Sequence, residues 1–342
     1  MRIAPGLFIG AAAVCCAAAI SSFAWRAALP FKGYRESKLV VVIEPGRPAR
    51  VAAETLREAG VIRSALAFRI LMRLRGAGGR IHAGEYEFTG QQTLHQILDK
   101  LERGDVVVHK LTVPEGLTVA EAADLVETAG FGSARSFLNA ARRVQLIAEL
   151  DPEAEDLEGY LFPDTYFFAR GTVEERIVQE MVERFRQEIT PQRIGRMKDL
   201  GLTVRGAVTL ASLVEEEARV EDERGRIAGV FVNRLKLGML LQCDPTVVYS
   251  LQRDGRYRGT IYRSDLSYAS PYNTYVSRGL PPGPICSPGA RSLEAALNPA
   301  GTGDLYFVVS GPGRHEFSAT IQAHERAVRR YRQELNAARQ PR

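Results

Sequence analysis

Three consecutive glutamates, Glu215, Glu216 and Glu217, are the residues of this 342-residue chain that best fit acid chemistry. They end the segment A-V-T-L-A-S-L-V-E-E-E-A (207–218), in which apolar residues recur at helical spacing. On a helix that advances about 100° per residue, Glu217 flanks the apolar stripe, Glu216 points roughly the opposite way and Glu215 lies nearer solvent. A carboxyl group held against apolar side chains keeps its proton more strongly, because burial disfavours the charged form. The pattern therefore predicts Glu217 as a general acid near neutral pH.

The three glutamates also have a simpler interpretation, as the solvated side of an amphipathic helix. Other kinds of chemistry find less support in the sequence. None of the five histidines pairs with Glu or Cys at a metal-ligand spacing, and there is no G-x-S-x-G elbow, P-loop or G-x-G-x-x-G after a strand. The sequence therefore disfavours metal, nucleophilic and nucleotide chemistry and favours a carboxyl acid that needs no cofactor.

The length and composition predict a globular protein of about two domains. The net charge of +5 is spread along the chain, so it suits an anionic partner without indicating nucleic acid. The sequence has no aromatic RNA-binding signature and no basic DNA-reading helix. Cys243 and Cys286 lie far apart in sequence, and we expect two separate thiols rather than a disulfide.

The N-terminal residues carry no charge between Arg2 and Arg26. This run is long enough for the roughly 20 residues that a membrane-spanning helix needs, so residues 1–30 are predicted to be a cytoplasmic stub and a transmembrane anchor. The run is rich in alanine and only weakly apolar, and Ser22-Phe23-Ala24 resembles a small-x-small cleavage site. A cleaved signal peptide therefore stays open as an alternative.

The remaining sequence predicts an α+β fold in two parts. Over residues 38–110, the order strand, helix, helix, strand is that of a small carbohydrate-binding module of the LysM kind. Residues 111–342 predict a mixed α/β domain that carries the glutamate helix. Its C-terminal part predicts two strands around a Gly-Pro-Gly turn, followed by a basic helix from His324.

Six further residues are candidate saccharide contacts, because aromatic faces stack on sugar rings while polar side chains bind their hydroxyl groups. Three lie in the loop S-P-Y-N-T-Y (270–275), and loops commonly carry binding residues. The others are an Asn inside an apolar helix, an Asp after Pro163 and an Asp at a helix start. For each one a structural role, in the core or as a hydrogen-bonded tie, is the alternative. The six are Tyr272, Asn273, Tyr275, Asn233, Asp244 and Asp164.

The order of motifs along the chain resembles that of the MltG (YceG-like) endolytic murein transglycosylases. The resemblance covers nearly the whole chain and departs from the family pattern at Ala218, where Thr is usual, and at Cys243 and Cys286. The segments that carry it are L-E-G-Y-L-F-P-D-T-Y, A-S-L-V-E-E-E-A, V-F-V-N-R-L, L-Q-C-D-P-T-V-V-Y, S-P-Y-N-T-Y, G-L-P-P-G-P-I, L-N-P-A and D-L-Y-F-V.

This resemblance implies a single-pass inner-membrane protein with a LysM-like module and a periplasmic catalytic domain that cuts nascent peptidoglycan strands. Its implied partners are glycan strands, the inner membrane and peptidoglycan synthases. The family's catalytic Glu falls on Glu217, which would protonate the glycosidic oxygen and then deprotonate the C6 hydroxyl of N-acetylmuramic acid, giving a 1,6-anhydro end. Because the nucleophile belongs to the substrate, no second catalytic carboxylate is needed.

Two alternatives remain at the level of sequence. A muramidase would use the same acid but admit water, and its product would carry the mass of that water. A non-catalytic peptidoglycan-binding scaffold would bind glycan equally well after Glu217→Gln.

Overall fold

The computed structural model describes residues 18–19, 21–25 and 28–339. It divides the chain into two compact units. The smaller unit contains the residues up to His109 together with Phe167–Gly171, and the larger unit contains Lys110–Tyr166 and Thr172 onward. The first boundary between the units, after His109, lies next to the boundary expected at residue 110. The assignment of the smaller unit as a LysM-like module stays a prediction.

The smaller unit is built on an antiparallel pair of strands, in which Lys38 lies opposite Thr89 and Ile43 opposite Gly84. Val41 and Ile43 point into its core while Val40 is exposed, as the period of two along a strand requires. Helices cover the inner face and complete one apolar core. The elements are β1 (Lys38–Ile43), α1 (Ala49–Glu58), α2 (Ala65–Leu74), β2 (Gly84–Thr89) and α3 (Leu94–Arg103).

The rest of the chain is mainly helical, with two more two-stranded sheets, β3 with β4 and β5 with β6. Its strands are β3 (His109–Thr112), β4 (Thr165–Phe168), β5 (Tyr306–Gly311) and β6 (Arg314–Ser318). Its helices are α4 (Val119–Thr128), α5 (Ala134–Ala140), α6 (Glu174–Glu188), α7 (Pro191–Asp199), α8 (Val204–Glu217), α9 (Arg224–Lys236), α10 (Asp244–Arg253), α11 (Ala290–Leu297) and α12 (Ile321–Arg339). The α+β class expected from the sequence is thus present.

Helix α8 is the centre of the larger unit. Thr203 caps its start by accepting a hydrogen bond from the backbone N–H of Gly206 at 3.0 Å. Every residue of Ala207–Val214 is buried, because α7, α9, α10 and α11 all pack around the helix. The helix therefore has no solvated side, and the glutamates at its end must be accommodated by neighbouring elements.

The hairpin of β5 and β6 supplies one side of the site that forms at the end of α8. The two strands are antiparallel, and Val309 lies opposite His315. A register shift between Val309 and Gly311 ends the regular pairing close to the turn. Helix α12 packs against both strands of the hairpin.

The predicted transmembrane anchor is not borne out. Within residues 18–19, 21–25 and 28–339, no helix is long and apolar enough to cross a membrane. The predictions of a transmembrane helix and of a single-pass inner-membrane location are therefore wrong; much of the 1–30 segment lies outside the described residues.

Candidate active site

Glu217, the last residue of α8, lies where two adjoining cavities meet. Cavity A has a volume of about 480 Å³, and cavity B has a volume of about 310 Å³. Both cavities are lined by Glu217, Asp244, Val309 and His315, and their remaining walls differ. Together they form a groove with this glutamate at its junction, and both volumes fall in the range of roughly 300–1,000 Å³ that is usual for ligand sites.

The carboxyl group of Glu217 holds its proton up to neutral pH. Burial raises its pKa to about 7, the negative charges of Asp244 and Glu216 act in the same direction, and a hydrogen bond with the Cys243 thiol opposes them. The position at the C-terminal end of α8 also disfavours a negative charge, because the helix dipole is negative there. A carboxyl group with this pKa can serve both as an acid and, once ionised, as a base.

The two neighbouring glutamates have different environments. The side chain of Glu215 is only 7% exposed and accepts hydrogen bonds from Arg224 Nη2 at 3.1 Å and from the backbone N–H of Gly289 at 2.9 Å. The expectation that it lies near solvent is wrong, because α8 is enclosed on all sides. Glu216 lines cavity A, and burial raises its pKa, opposed by a hydrogen bond with the Cys286 thiol.

Cys243 and Cys286 are buried free thiols. The two thiols contact different carboxyl groups, Glu217 and Glu216 respectively. This agrees with the expectation of two separate thiols, and it makes Cys243 an immediate neighbour of the candidate acid.

Two of the predicted substrate contacts do lie beside Glu217. Asp244 is the first residue of α10 and lines both cavities, and Tyr275 lines cavity B. The Tyr275 hydroxyl donates a hydrogen bond to Asp244 Oδ1 at 2.5 Å. Asp244 therefore does not cap the helix as its sequence position suggests, since its carboxylate turns to the tyrosine and the groove.

The loop that leads into α10 is held in an unusual conformation. Gln242 has a φ of 53° and is the one non-glycine residue with positive φ among the residues described. The buried guanidinium of Arg234 fixes the loop by donating from Nη1 to the carbonyls of Leu240 and Leu241 at 3.1 and 2.7 Å. Its Nε donates to the carbonyl of Leu305 at 2.6 Å, which ties the loop to the residue before β5. Strained backbone of this kind clusters at functional sites.

Comparison with known proteins shows the family to which this chain belongs. The model of the YceG-like family matches residues 41–330. The chain belongs to the YceG-like family. The endolytic murein transglycosylase of Bacillus subtilis (strain 168) is 34% identical over 315 residues, which cover 87% of this chain and 86% of the relative.

Two further YceG-like comparisons agree with this assignment. An endolytic murein transglycosylase of Streptococcus pneumoniae (strain D39) is 29% identical over 329 residues, which cover 88% of this chain and 59% of that longer relative. The crystal structure of a putative YceG-like protein from Listeria monocytogenes has a TM-score of 0.58 and 32% identity. It covers 85% of this chain and 99% of the Listeria chain.

Two asparagines that were candidates from the sequence act as structural ties in this YceG-like chain. The amide of Asn233 donates to the carbonyls of Thr302 and Asp304 at 2.8 and 3.0 Å, and so joins α9 to the segment before β5. Asn273 is fully buried, and its amide donates to two carbonyls of the preceding loop at 3.1 and 2.8 Å. Its Oδ1 accepts from the N–H of Tyr275 at 2.9 Å, so it orients the tyrosine rather than lining the groove.

The remaining two candidates lie elsewhere. Tyr272 lines a third cavity of about 260 Å³ and accepts a hydrogen bond from Arg253 Nη1 at 3.0 Å. Its ring centroid is 5.0 Å from that of Tyr249, which lines cavity A, so one aromatic ring separates Tyr272 from the groove. Asp164 is paired with Arg184 Nε at 2.7 Å, in contact with solvent. Substrate roles for these two residues stay predictions.

Three residues that line the groove were not predicted from the sequence. Arg234 and His324 occur in helices whose pattern reads as structural, and His315 occurs in a hairpin strand. His315 Nδ1 lies 2.8 Å from Glu223 Oε2, which orients the imidazole. The only sequence signal for Arg234 is its position as a charged residue inside an apolar helix. His315 and His324 have no comparable signal in the sequence.

Proposed function

We propose that this YceG-like protein is an endolytic murein transglycosylase, which cuts peptidoglycan strands between N-acetylmuramic acid and N-acetylglucosamine and leaves 1,6-anhydro ends. The observation that carries the proposal is the position of Glu217, a carboxyl group with a pKa of about 7, at the junction of two cavities. An enzyme that cuts within a strand needs space for sugars on both sides of the broken bond. The curated Bacillus and Streptococcus relatives bear the same functional name.

In the first step, protonated Glu217 donates its proton to the glycosidic oxygen as the bond to C1 of N-acetylmuramic acid breaks. In the second step, the resulting carboxylate takes the proton of the C6 hydroxyl, whose oxygen bonds to C1 and closes the anhydro ring. Protons balance, because the one that Glu217 gives to the leaving sugar is replaced by the one from C6. The single carboxyl group thus returns to its starting state without water entering the reaction.

Asp244 supports this cycle through its charge. Its carboxylate lies beside the acid, and its negative charge favours the protonated form of Glu217. The hydrogen bond from Tyr275 keeps that carboxylate in place. We further propose that cleavage ends the elongation of nascent strands, that the smaller unit is a LysM-like glycan-binding module, and that peptidoglycan synthases are partners.

The mass of the products tests the reaction. We expect the protein to convert purified peptidoglycan strands to fragments with 1,6-anhydro ends, each lighter by one water than a reducing end, in mass spectrometry after complete muramidase digestion. Reducing ends without anhydro ends would instead make the protein a hydrolase, with Asp244 as the candidate second carboxylate. Binding of strands without any cleavage would contradict the enzymatic proposal and favour a scaffold.

The pH dependence of cleavage follows from the raised pKa of Glu217. Because the acid must be protonated, kcat/KM is expected to be level on the acid side and to fall up to tenfold per pH unit above about pH 7. The raised pKa also means that the stability contributed by this group is full below its ordinary pKa of 4.5 and is lost as the pH rises through 7. Circular dichroism at each pH separates that effect from catalysis, and a rate that rises through pH 7 would contradict the assigned role.

A further inference from the structure

Cavity B has a chemistry different from that of cavity A. The part of cavity A outside the shared residues includes the ionisable groups of Glu121, Glu216 and Arg219. The corresponding part of cavity B is formed mainly by uncharged side chains, including Gln242, Tyr275, Phe307 and His324. Its one cationic member, Arg234, already donates to three backbone carbonyls. Cavity B therefore favours an uncharged ligand that offers hydrogen-bond acceptors and an apolar face.

His324 of α12 lines cavity B and has unused hydrogen-bonding capacity. Its ring stacks on Tyr306, with centroids 5.2 Å apart and planes 22° apart, so its orientation is fixed. Its Nδ1 is buried and has no hydrogen-bond partner among the described residues. Burial and the nearby charge of Arg234 lower the pKa of His324, so the imidazole is neutral at neutral pH and carries one proton.

The position of that proton follows from the cost of burying an unpaired donor. If it were on Nδ1, a buried N–H would have no acceptor, which is rarer in folded proteins than an unpaired acceptor. The proton therefore belongs on Nε2. Since the Nδ1 edge is buried while the residue is partly exposed and lines cavity B, Nε2 is the nitrogen available to a ligand there.

The side chain of Gln242 adds a second donor. Its Oε1 accepts a hydrogen bond from Arg234 Nη1 at 3.3 Å, which leaves its amide N–H groups for cavity B. Phe307 lines the same cavity and supplies an apolar ring face, of the kind that packs against the C–H groups of a sugar. Donors around an aromatic face match an acetamido sugar, whose carbonyl accepts hydrogen bonds.

We propose that cavity B is a subsite for an uncharged acetamido sugar, and that His324 binds its acetamido carbonyl through Nε2–H. The inference deepens the proposed function, on which it rests, by assigning the sugar that lies on this side of Glu217. The ring on this side is then an N-acetylglucosamine, and cavity A takes the N-acetylmuramic acid.

Binding of a defined probe tests the subsite without cleavage. The full chain carrying Glu217→Gln and ¹⁵N-labelled histidine is titrated with the tetramer of N-acetylglucosamine, which contains only uncharged acetamido rings. We expect the Nε2 resonance of His324, assigned by its loss in His324→Ala, to move on saturation and to report the protonated Nε2 tautomer. His82, His95 and His109 belong to the smaller unit, which we propose to bind glycan itself, so their resonances report tetramer bound there separately from tetramer bound at cavity B. A His324 resonance that stays still throughout the titration would overturn the assignment, whether or not the resonances of the smaller unit move.

Kinetics on peptidoglycan strands give a second readout. His324→Ala is expected to raise KM about tenfold with kcat changed less than threefold, because one hydrogen bond to bound substrate is lost. His324→Gln, which keeps a donor near the position of Nε2, is expected to recover part of the loss. Arg326→Ala is the matched control, since Arg326 is exposed on the same helix. An equal effect of Arg326→Ala, or an unchanged KM in His324→Ala, would contradict the role of His324.

The two proposals fail in different ways. A wild-type chain that yields no anhydro ends contradicts the reaction, whereas the titration reports on cavity B even in that case. A wild-type chain that cuts strands normally, with a His324 resonance that is indifferent to the tetramer, contradicts the subsite alone.

Discussion

Glu217→Gln is expected to lower the rate of strand cleavage by at least about 10³-fold, since general acid–base catalysis contributes roughly 10²–10⁴-fold and here one group performs both steps. Glutamine has nearly the same size and can neither give up a proton to the glycosidic oxygen nor accept one from the C6 hydroxyl. The loss should appear in kcat rather than KM, because the interaction is needed in the transition state. The measurement is the rate of anhydro-end formation on purified strands at pH 6.

The fold of Glu217→Gln should be intact, because the substitution removes a buried group that resists ionisation. Above pH 7 the variant should be more stable than the wild type. To fold at that pH, the wild type must either bury an ionised carboxylate or keep this carboxyl group protonated above its pKa, and both cost free energy. Glu216→Gln is the matched control, with the same chemical change one residue away in cavity A, and we expect it to keep activity within about tenfold. Cleavage by Glu217→Gln at more than a tenth of the wild-type rate would move the acid elsewhere.

Much of the secondary structure follows from local sequence signals. The apolar, β-branched run in Lys38–Ile43, for example, predicts a strand, although five successive apolar residues do not show which face is buried. Thr118 and Glu121 form a capping box at the start of α4, and the T-x-x-E spacing of this motif can be recognised in the sequence. These features depend on residues only a few positions apart, so they can be predicted from the sequence.

The environment of the glutamates depends on packing between distant segments. A periodic stripe predicted one buried face for α8, but four helices enclose it, and Glu215 is buried against Arg224. Asn233 is similar, since its partners lie about 70 residues further along the chain. Long-range contacts of this kind cannot be predicted from the spacing of nearby residues. The sequence therefore distinguishes Glu217 from Glu215 and Glu216 only by its position beside the apolar stripe and by the family resemblance.

The N-terminal error has a different origin. Length and lack of charge predicted a membrane span over residues 1–30, whereas a spanning helix also needs sufficient apolarity over its whole length. Within the part of the chain that the structure describes no such helix is present, and much of residues 1–30 lies outside that part.

Arg234→Met is expected to lower the free energy of unfolding of the larger unit by roughly 3–5 kcal/mol, since each carbonyl left without its donor costs about 1–3 kcal/mol. The guanidinium holds the carbonyls of Leu240, Leu241 and Leu305, and methionine leaves these groups without donors. At about 2–4 °C per kcal/mol for a unit of this size, the melting temperature should fall by roughly 10 °C. Thermal unfolding followed by circular dichroism measures the effect.

The same substitution should slow cleavage more than the loss of stability alone would, even well below the melting temperature. Gln242 is held at positive φ within the loop that Arg234 fixes, and the following residues, Cys243 and Asp244, both act on Glu217. Without the guanidinium the loop relaxes, and the carboxylate of Asp244 is no longer held beside Glu217. Because the charge of Asp244 helps to raise the pKa of Glu217, that pKa should fall and the loss of activity should begin at a lower pH. Arg234→Lys should recover little, because an ammonium group cannot reproduce the fork that reaches both the loop before α10 and the residue before β5. Lys236→Met, an exposed change on the same helix, is the control; if Arg234→Met behaved like it in both melting and pH profile, Arg234 would have no part in organising the site.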